Sequence, residues 1–230
     1  MKMKNIYDQM YLETLHKIQG NQYKLDKQIN DPRDSRYGLS LIIEPDAAIC
    51  SNILQFLSEL KTIEPNQYIY PSSDIHITVL SIISCYSGFN TRDVPLEKYI
   101  VAVKKSLSGV QSFSISFKGI TASPSGVMVQ GFVDNDSLTR LRGNLREEFR
   151  NNGLENSIDK RYEIQTAHTT VLRFQYPLQQ KIKFLAVLNQ SRGKDFGEMK
   201  VNELRLVGND WYHRRDKVEL LSIFPLTSLL

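Results

Sequence analysis

Cysteine is almost missing from this chain. Cys50 and Cys85 are the only two, and they lack metal-ligand spacing. A disulfide-stapled scaffold is therefore excluded, and two buried free thiols in a reducing cytoplasm are expected. Long apolar runs are missing too. None approaches the ~20 residues that span a bilayer, and Met1-Lys2-Met3-Lys4-Asn5 leads into a polar segment without the apolar middle of a signal peptide. No membrane partner is expected. Charge of one sign is also scarce. With 29 basic and 25 acidic residues the net charge is +4, which tolerates an anionic ligand but leaves no footprint for duplex DNA. Histidine is rare as well, with 4 in 230 residues, so where they fall carries information.

What is present suffices for a core. A hydrophobic content of 41%, with 10% aromatic residues, is ordinary for a globular protein. The length fits one large domain or two closely packed lobes, and a monomer is favoured.

Two of the histidines share a pattern. Asp74-Ile75-His76-Ile77-Thr78-Val79-Leu80 reads as a strand, entered through Pro71-Ser72-Ser73. Side chains alternate along a strand, so His76 and Thr78 share one face while Ile75, Ile77 and Val79 take the other. Ala167-His168-Thr169-Thr170-Val171-Leu172 repeats the histidine, the spacer, the threonine and the Val-Leu that follows. One His-x-Thr is usually structural. A matched pair, far enough apart for each to sit in its own half, points to chemistry.

The surrounding chain supports a duplicated plan. Residues 1–34 read as a helical appendage with a loose stripe of Ile6, Met10, Leu12, Leu15 and Ile18, closed by Asp31-Pro32-Arg33-Asp34. His16 in it is expected to face solvent. Residues 35–230 form the main, two-lobed domain. Arg36 to Ile43 is a strand, and Asp46 caps a helix with Ile49, Ile53, Phe56, Leu57 and Leu60 on one face. The His76 strand follows, then a helix opened by Pro95 and ended by Ser108-Gly109. Phe113 to Phe117 and Gly126 to Phe132 form an antiparallel pair. A helix with Leu138, Leu141, Leu145 and Phe149, the His168 strand, a helix within Pro177 to Leu188, and strands at Val201 to Val207 and Val218 to Phe224 complete the chain. The expected class is α/β in the α+β sense. A duplication at this scale gives a pseudo-two-fold axis that brings His76 and Thr78 to face His168 and Thr170.

Two imidazoles in one cleft suit in-line displacement at phosphorus. With an ordinary pKa near 6.5 they can hold opposite protonation states, one taking a proton from the attacking oxygen and one giving a proton to the leaving oxygen. The threonine hydroxyls, stiff at their first torsion, can donate to the non-bridging oxygens. The scheme needs neither metal nor cofactor.

These residues resemble the paired His-x-Thr/Ser motifs of the two-histidine phosphoesterase superfamily, which includes the bacterial 2′-5′ RNA ligase-like proteins and cyclic nucleotide phosphodiesterases. The resemblance covers roughly Arg36 to Leu226. It implies a bilobal fold with two antiparallel sheets lining a central cleft and helices outside. It also implies metal-independent chemistry on 2′,3′-cyclic or 2′-5′ phosphodiester bonds of nucleotides or RNA. The catalytic roles carry over to His76, Thr78, His168 and Thr170.

Two other readings use the same residues. One is a catalytically silent module that senses a nucleotide or RNA end. The other is a metal site of Asp74, His76 and His168, which leaves the threonines unexplained. Several further residues have ordinary structural readings beside functional ones. Tyr37, Tyr86 and Phe174 could stack a base but more often pack. Asp74 could orient His76 or cap a turn. Trp211-Tyr212-His213-Arg214-Arg215 reads as a solvated loop that could meet a phosphate.

Overall fold

A computed structural model describes residues 2–160 and 162–227. The first helix, α1 (Lys2–Gln19), leads through an extended segment into strand β1 (Arg36–Ile43), helix α2 (Ala47–Ile63) and the two-residue strand β2 (Tyr68–Ile69). Strand β3 (Ile77–Ser87), helix α3 (Leu96–Ser106), and the hairpin β4 (Phe113–Ser123) and β5 (Gly126–Val133) follow. Then come α4 (Ser137–Asn151), β6 (Thr169–Arg173), α5 (Lys181–Gln190), β7 (Asp195–Val201), β8 (Glu203–Asp210) and β9 (Glu219–Pro225).

The helices form where capping and periodicity require them. Asp46 accepts from the Ile49 amide at 2.9 Å and starts α2. Its predicted face of Ile49, Ile53, Phe56, Leu57 and Leu60 is buried throughout. In α4, Leu138, Leu141, Leu145 and Phe149 are buried as the spacing predicts, with Arg142 buried among them.

The strands make two sheets, in the orders β3-β1-β8-β9 and β2-β6-β5-β4-β7. Every strand pair within them is antiparallel. The lobes are not the two sequence halves, however. Strands β8 and β9, from the end of the chain, complete the sheet of β1 and β3. The β4–β5 hairpin, from the middle, joins β6. Helices cross over as well: α2 packs on β6 and β7, while α4 packs on α3 and β3. The duplication is therefore interleaved, and each lobe draws on both halves.

Strand β7 has no counterpart in the sequence expectation. Its alternation is broken at Gly197, whose φ is +104° and where a Cβ would lie 3.0 Å from Ile49. The same break interrupts the register with β4 around Phe117. Helix α5 starts at Lys181, later than Pro177.

The leader differs most from expectation. Helix α1 buries Tyr7, Tyr11, Thr14 and Ile18, while Leu12 is 54% exposed. The Tyr7 hydroxyl donates to Gly131 O at 3.1 Å, Tyr11 to Asn189 Oδ1 at 2.6 Å and Thr14 to Ala122 O at 3.0 Å. Three of these four have an apolar body and a polar tip, so the expected aliphatic stripe caught Ile18, with Leu15 packed beside the core, and missed the rest of the face. The following segment is pinned too: the Lys24 amide donates to Pro124 O and the Asp26 amide to Phe174 O. His16 is exposed, as expected. Among the described residues, no helix is long and apolar enough to cross a membrane.

Because α1 covers β4, a variant lacking residues 1–34 is expected to lose roughly 10 °C or more in thermal midpoint. An unchanged melting curve would make the leader a detachable appendage after all.

Candidate active site

Both motif histidines sit one residue before their strands, His76 ahead of β3 and His168 ahead of β6. The two strands approach each other between the sheets. There His76, Thr78, His168 and Thr170 all line one cleft of about 190 Å³. The four residues singled out from sequence are thus brought together.

Each imidazole is fixed by the residue two positions before it. His76 Nδ1 lies 2.9 Å from Asp74 O. A carbonyl only accepts, so Nδ1 carries the proton and Nε2 is left for the cleft. His168 Nδ1 lies 2.6 Å from Thr166 Oγ1. That hydroxyl can donate or accept, so its ring is held without being confined to one tautomer.

A second symmetry lies after the threonines. Leu41 pairs with Leu80 and Ile42 with Thr78, which leaves Val79 as an extra residue. Val127 pairs with Leu172 and Met128 with Thr170, leaving Val171 extra. Both motif strands therefore bulge at the valine after the threonine. A bulge shifts the alternation by one, so the third residue after each threonine also meets the cleft. These residues are Ser81 and Arg173. Arg173 was missed from sequence because strict alternation turns it away. The repeated Thr-Val-Leu was the available signal.

Arg173 is held in place at the cleft. Its Nε donates to the Tyr70 hydroxyl at 2.8 Å, and its guanidinium lies 3.6 Å from the Asp26 carboxylate of the leader. Asp26 also accepts from the Tyr212 hydroxyl at 2.8 Å.

Arg142 ties the two motifs together. It is 3% exposed. Its Nε donates to Val79 O at 2.8 Å, and one terminal nitrogen donates to Thr78 O at 3.1 Å and to Thr166 O at 2.8 Å. Burial draws its pKa down to about 10. Burial also pushes His168 down to about 4, with the nearby charges of Arg142 and His76 adding to it. His76 is lowered as well, chiefly by burial, although Asp74 O works in the other direction.

The remaining candidates divide. The Asp74 carboxylate accepts from the Arg215 amide at 3.1 Å and from Ser73 at 2.8 Å, so it caps a turn while its carbonyl orients His76. Among the described residues no three His, Cys, Asp or Glu side chains converge as metal ligands. Tyr37 stacks on Phe89 with centroids 6.5 Å apart, and Phe174 is in the core. Tyr86 is exposed, its hydroxyl donating to Glu155. The stretch expected as a solvated loop is instead packed, with Tyr212 and His213 buried. Aromatic stacking explains the difference: the Arg36 guanidinium lies 4.8 Å from the Trp211 ring centroid and that of Arg214 lies 4.7 Å from that of Tyr212. Trp211 lines the cleft.

Solved structures share this architecture. E. coli LigT complexed with 3′-AMP is similar with a TM-score of 0.56 at 15% identity, over 84% of this chain and 99% of that one. The protein TT0787 of Thermus thermophilus is similar with a TM-score of 0.58 at 14% identity, over 83% and 98%. A further phosphoesterase structure matches with a TM-score of 0.55 at 17% identity, over 84% and 99%. No family model matches the sequence, and no curated protein matches it either. The likeness is one of fold, and it is the bilobal fold that the paired motifs implied.

Two outcomes follow from the buried groups. Free His168 titrates at 6.5 and the folded residue at about 4. The unfolded chain therefore binds that proton first, so stability is full above about pH 6.5 and declines as pH falls towards 4. Urea unfolding at pH 7 and pH 5 should show this decline, and His168→Gln should make it shallower, with His76 and His213 supplying the remainder. Arg142→Lys keeps the charge but loses the fork to three carbonyls, and should cost about 1–3 kcal/mol in the same assay.

Proposed function

We propose that this chain is a metal-independent phosphodiesterase that hydrolyses 2′,3′-cyclic or 2′-5′ phosphodiester bonds of nucleotides or RNA by two-histidine acid–base catalysis. The observation that carries this reading is the pair of imidazoles anchored through Nδ1 on one cleft, each beside a threonine. The 3′-AMP held by its E. coli structural relative agrees with a nucleotide ligand.

The base is assigned to His168, because burial, Arg142 and His76 all disfavour its charged form, whereas Asp74 O favours that of His76. His168 Nε2 takes a proton from water as the water oxygen bonds to phosphorus. The bond from phosphorus to the leaving ribose oxygen breaks, and His76 gives that oxygen its Nε2 proton. The products are a phosphomonoester and a free hydroxyl. A bound phosphodiester anion raises the pKa of both rings, which favours a protonated His76 in the complex. Thr78 and Thr170 donate to the non-bridging oxygens, and Arg173 offsets their charge. Every proton carrier and every donor in the scheme is a protein side chain. The residues named for these roles are part of the proposal.

The test is an assay against 2′,3′-cyclic mononucleotides, 2′-5′-linked dinucleotides and a cyclic-phosphate-ended RNA, with EDTA in excess. Cleavage should survive the chelator. His76→Ala and His168→Ala should each lower kcat by ~10²-fold or more at an unchanged thermal midpoint. Thr78→Ala and Thr170→Ala should cost less. Binding of one of these ligands without turnover would support the sensing module, and loss of cleavage in EDTA would require a metal. The productive form of the free protein has His76 protonated and His168 neutral. The pH profile of kcat/KM should therefore be a bell with its maximum below about pH 6.5, because both free rings are lowered from that value.

A further inference from the structure

A third histidine lies directly behind the first. The His213 ring lies against His76, tilted by 33° with centroids 3.9 Å apart. It is 2% exposed, and among the described residues its Nδ1 is buried without a hydrogen-bond partner. Its backbone is left-handed, with φ at +57°. A buried polar nitrogen without a partner costs stability, and so does a left-handed backbone at a residue with a Cβ. Glycine or asparagine would meet the backbone demand with less strain. The turn nevertheless holds a histidine, locked by Asp210, whose carbonyl accepts from the His213 amide at 3.1 Å and whose carboxylate accepts from the Arg214 amide at 2.9 Å.

We propose that His213 is a positioning residue for His76, an uncharged aromatic plate that keeps the imidazole flat against the cleft wall with Nδ1 on Asp74 O. The inference rests on the acid–base role proposed for His76, and it adds a residue outside both His-x-Thr motifs. Its physical basis is the geometry of a single hydrogen bond. Asp74 O restrains His76 at one atom, and that single bond does not stop the ring from tipping away and losing it. A second ring at van der Waals distance removes this freedom and aims Nε2 at the substrate. Misplacement of a reacting group by about 1 Å can cost 10²-fold in rate.

The plate must also stay neutral, since a second positive charge at this distance would oppose protonation of His76. The groups around it have that effect. His76 faces it from the start of β3, Arg215 lies on its own turn, and burial pushes its pKa to about 2. A neutral aromatic face stacked on an imidazolium is a favourable contact, so the arrangement tolerates the charged form of His76 that the proton donation needs.

The decisive variant is His213→Asn, which suits the left-handed backbone and removes the ring. The first readout is the nitrogen NMR signature of the His76 tautomer, which needs no turnover. In the unsubstituted protein His76 should show one tautomer, protonated at Nδ1. In His213→Asn that signature should average between tautomers, and kcat should fall roughly 10- to 100-fold with KM within about twofold. His213→Phe restores a ring and should recover both the single tautomer and most of kcat. A folded His213→Asn protein in which His76 keeps its single tautomer overturns the proposal, whatever its turnover. Should the unsubstituted protein cleave no phosphodiester, the proposed activity fails while the tautomer comparison still decides the role of His213.

Discussion

The arrangement depends above all on one buried guanidinium. Arg142 projects from α4 into the joint between the sheets and donates to main-chain carbonyls of both motif segments. Burial strips its charge of water and lowers its pKa, a cost that the carbonyl dipoles only partly offset. That cost secures two things. The backbone at Thr78 is held at a set distance from the backbone at Thr166, hence from His168. A fixed positive charge also stands beside His168 and adds to the burial that keeps that ring neutral. The same side chain thus contributes to both the geometry and the protonation of the site.

Around that joint the two motifs are equivalent in plan and different in detail. Both histidines are anchored from two residues upstream and both strands bulge at the next valine. The anchors differ: a carbonyl confines His76 to one tautomer, while the Thr166 hydroxyl leaves His168 free to exchange. The residues beyond the bulges differ as well, serine on one side and arginine on the other. A duplicated scaffold has in this way become chemically polar, with Arg142 beside His168, and Arg173 and a tilted aromatic plate near His76. Such polarity suits a reaction that needs an acid at one end and a base at the other.

Residues 1–34 take part in both the fold and the cleft. Helix α1 closes the outer face of the second sheet through tyrosine hydroxyls, and Asp26 reaches the Arg173 guanidinium. Aliphatic periodicity could not show the first contact, because amphipathic tyrosines carry that face. No local pattern could show the second, because it joins residues distant in sequence.

The amino-acid sequence by itself determined the local elements and the pairing of the two His-x-Thr motifs. Asp46 marks the start of α2, the stripes of α2 and α4 are buried as spaced, and the repeated His-x-Thr strands mark the cleft. These features depend on neighbours within a few residues, where propensity and alternation act. Tertiary structure decided the rest. It interleaved the two halves between the sheets, turned Arg173 into the cleft through a bulge and joined the motifs through Arg142. It also packed Tyr212 and His213, in a stretch that reads as polar surface, beneath the cleft wall. Each of these outcomes follows from contacts between distant segments, whose energies are set by burial and by which backbone groups remain to be paired. A linear pattern does not contain that information.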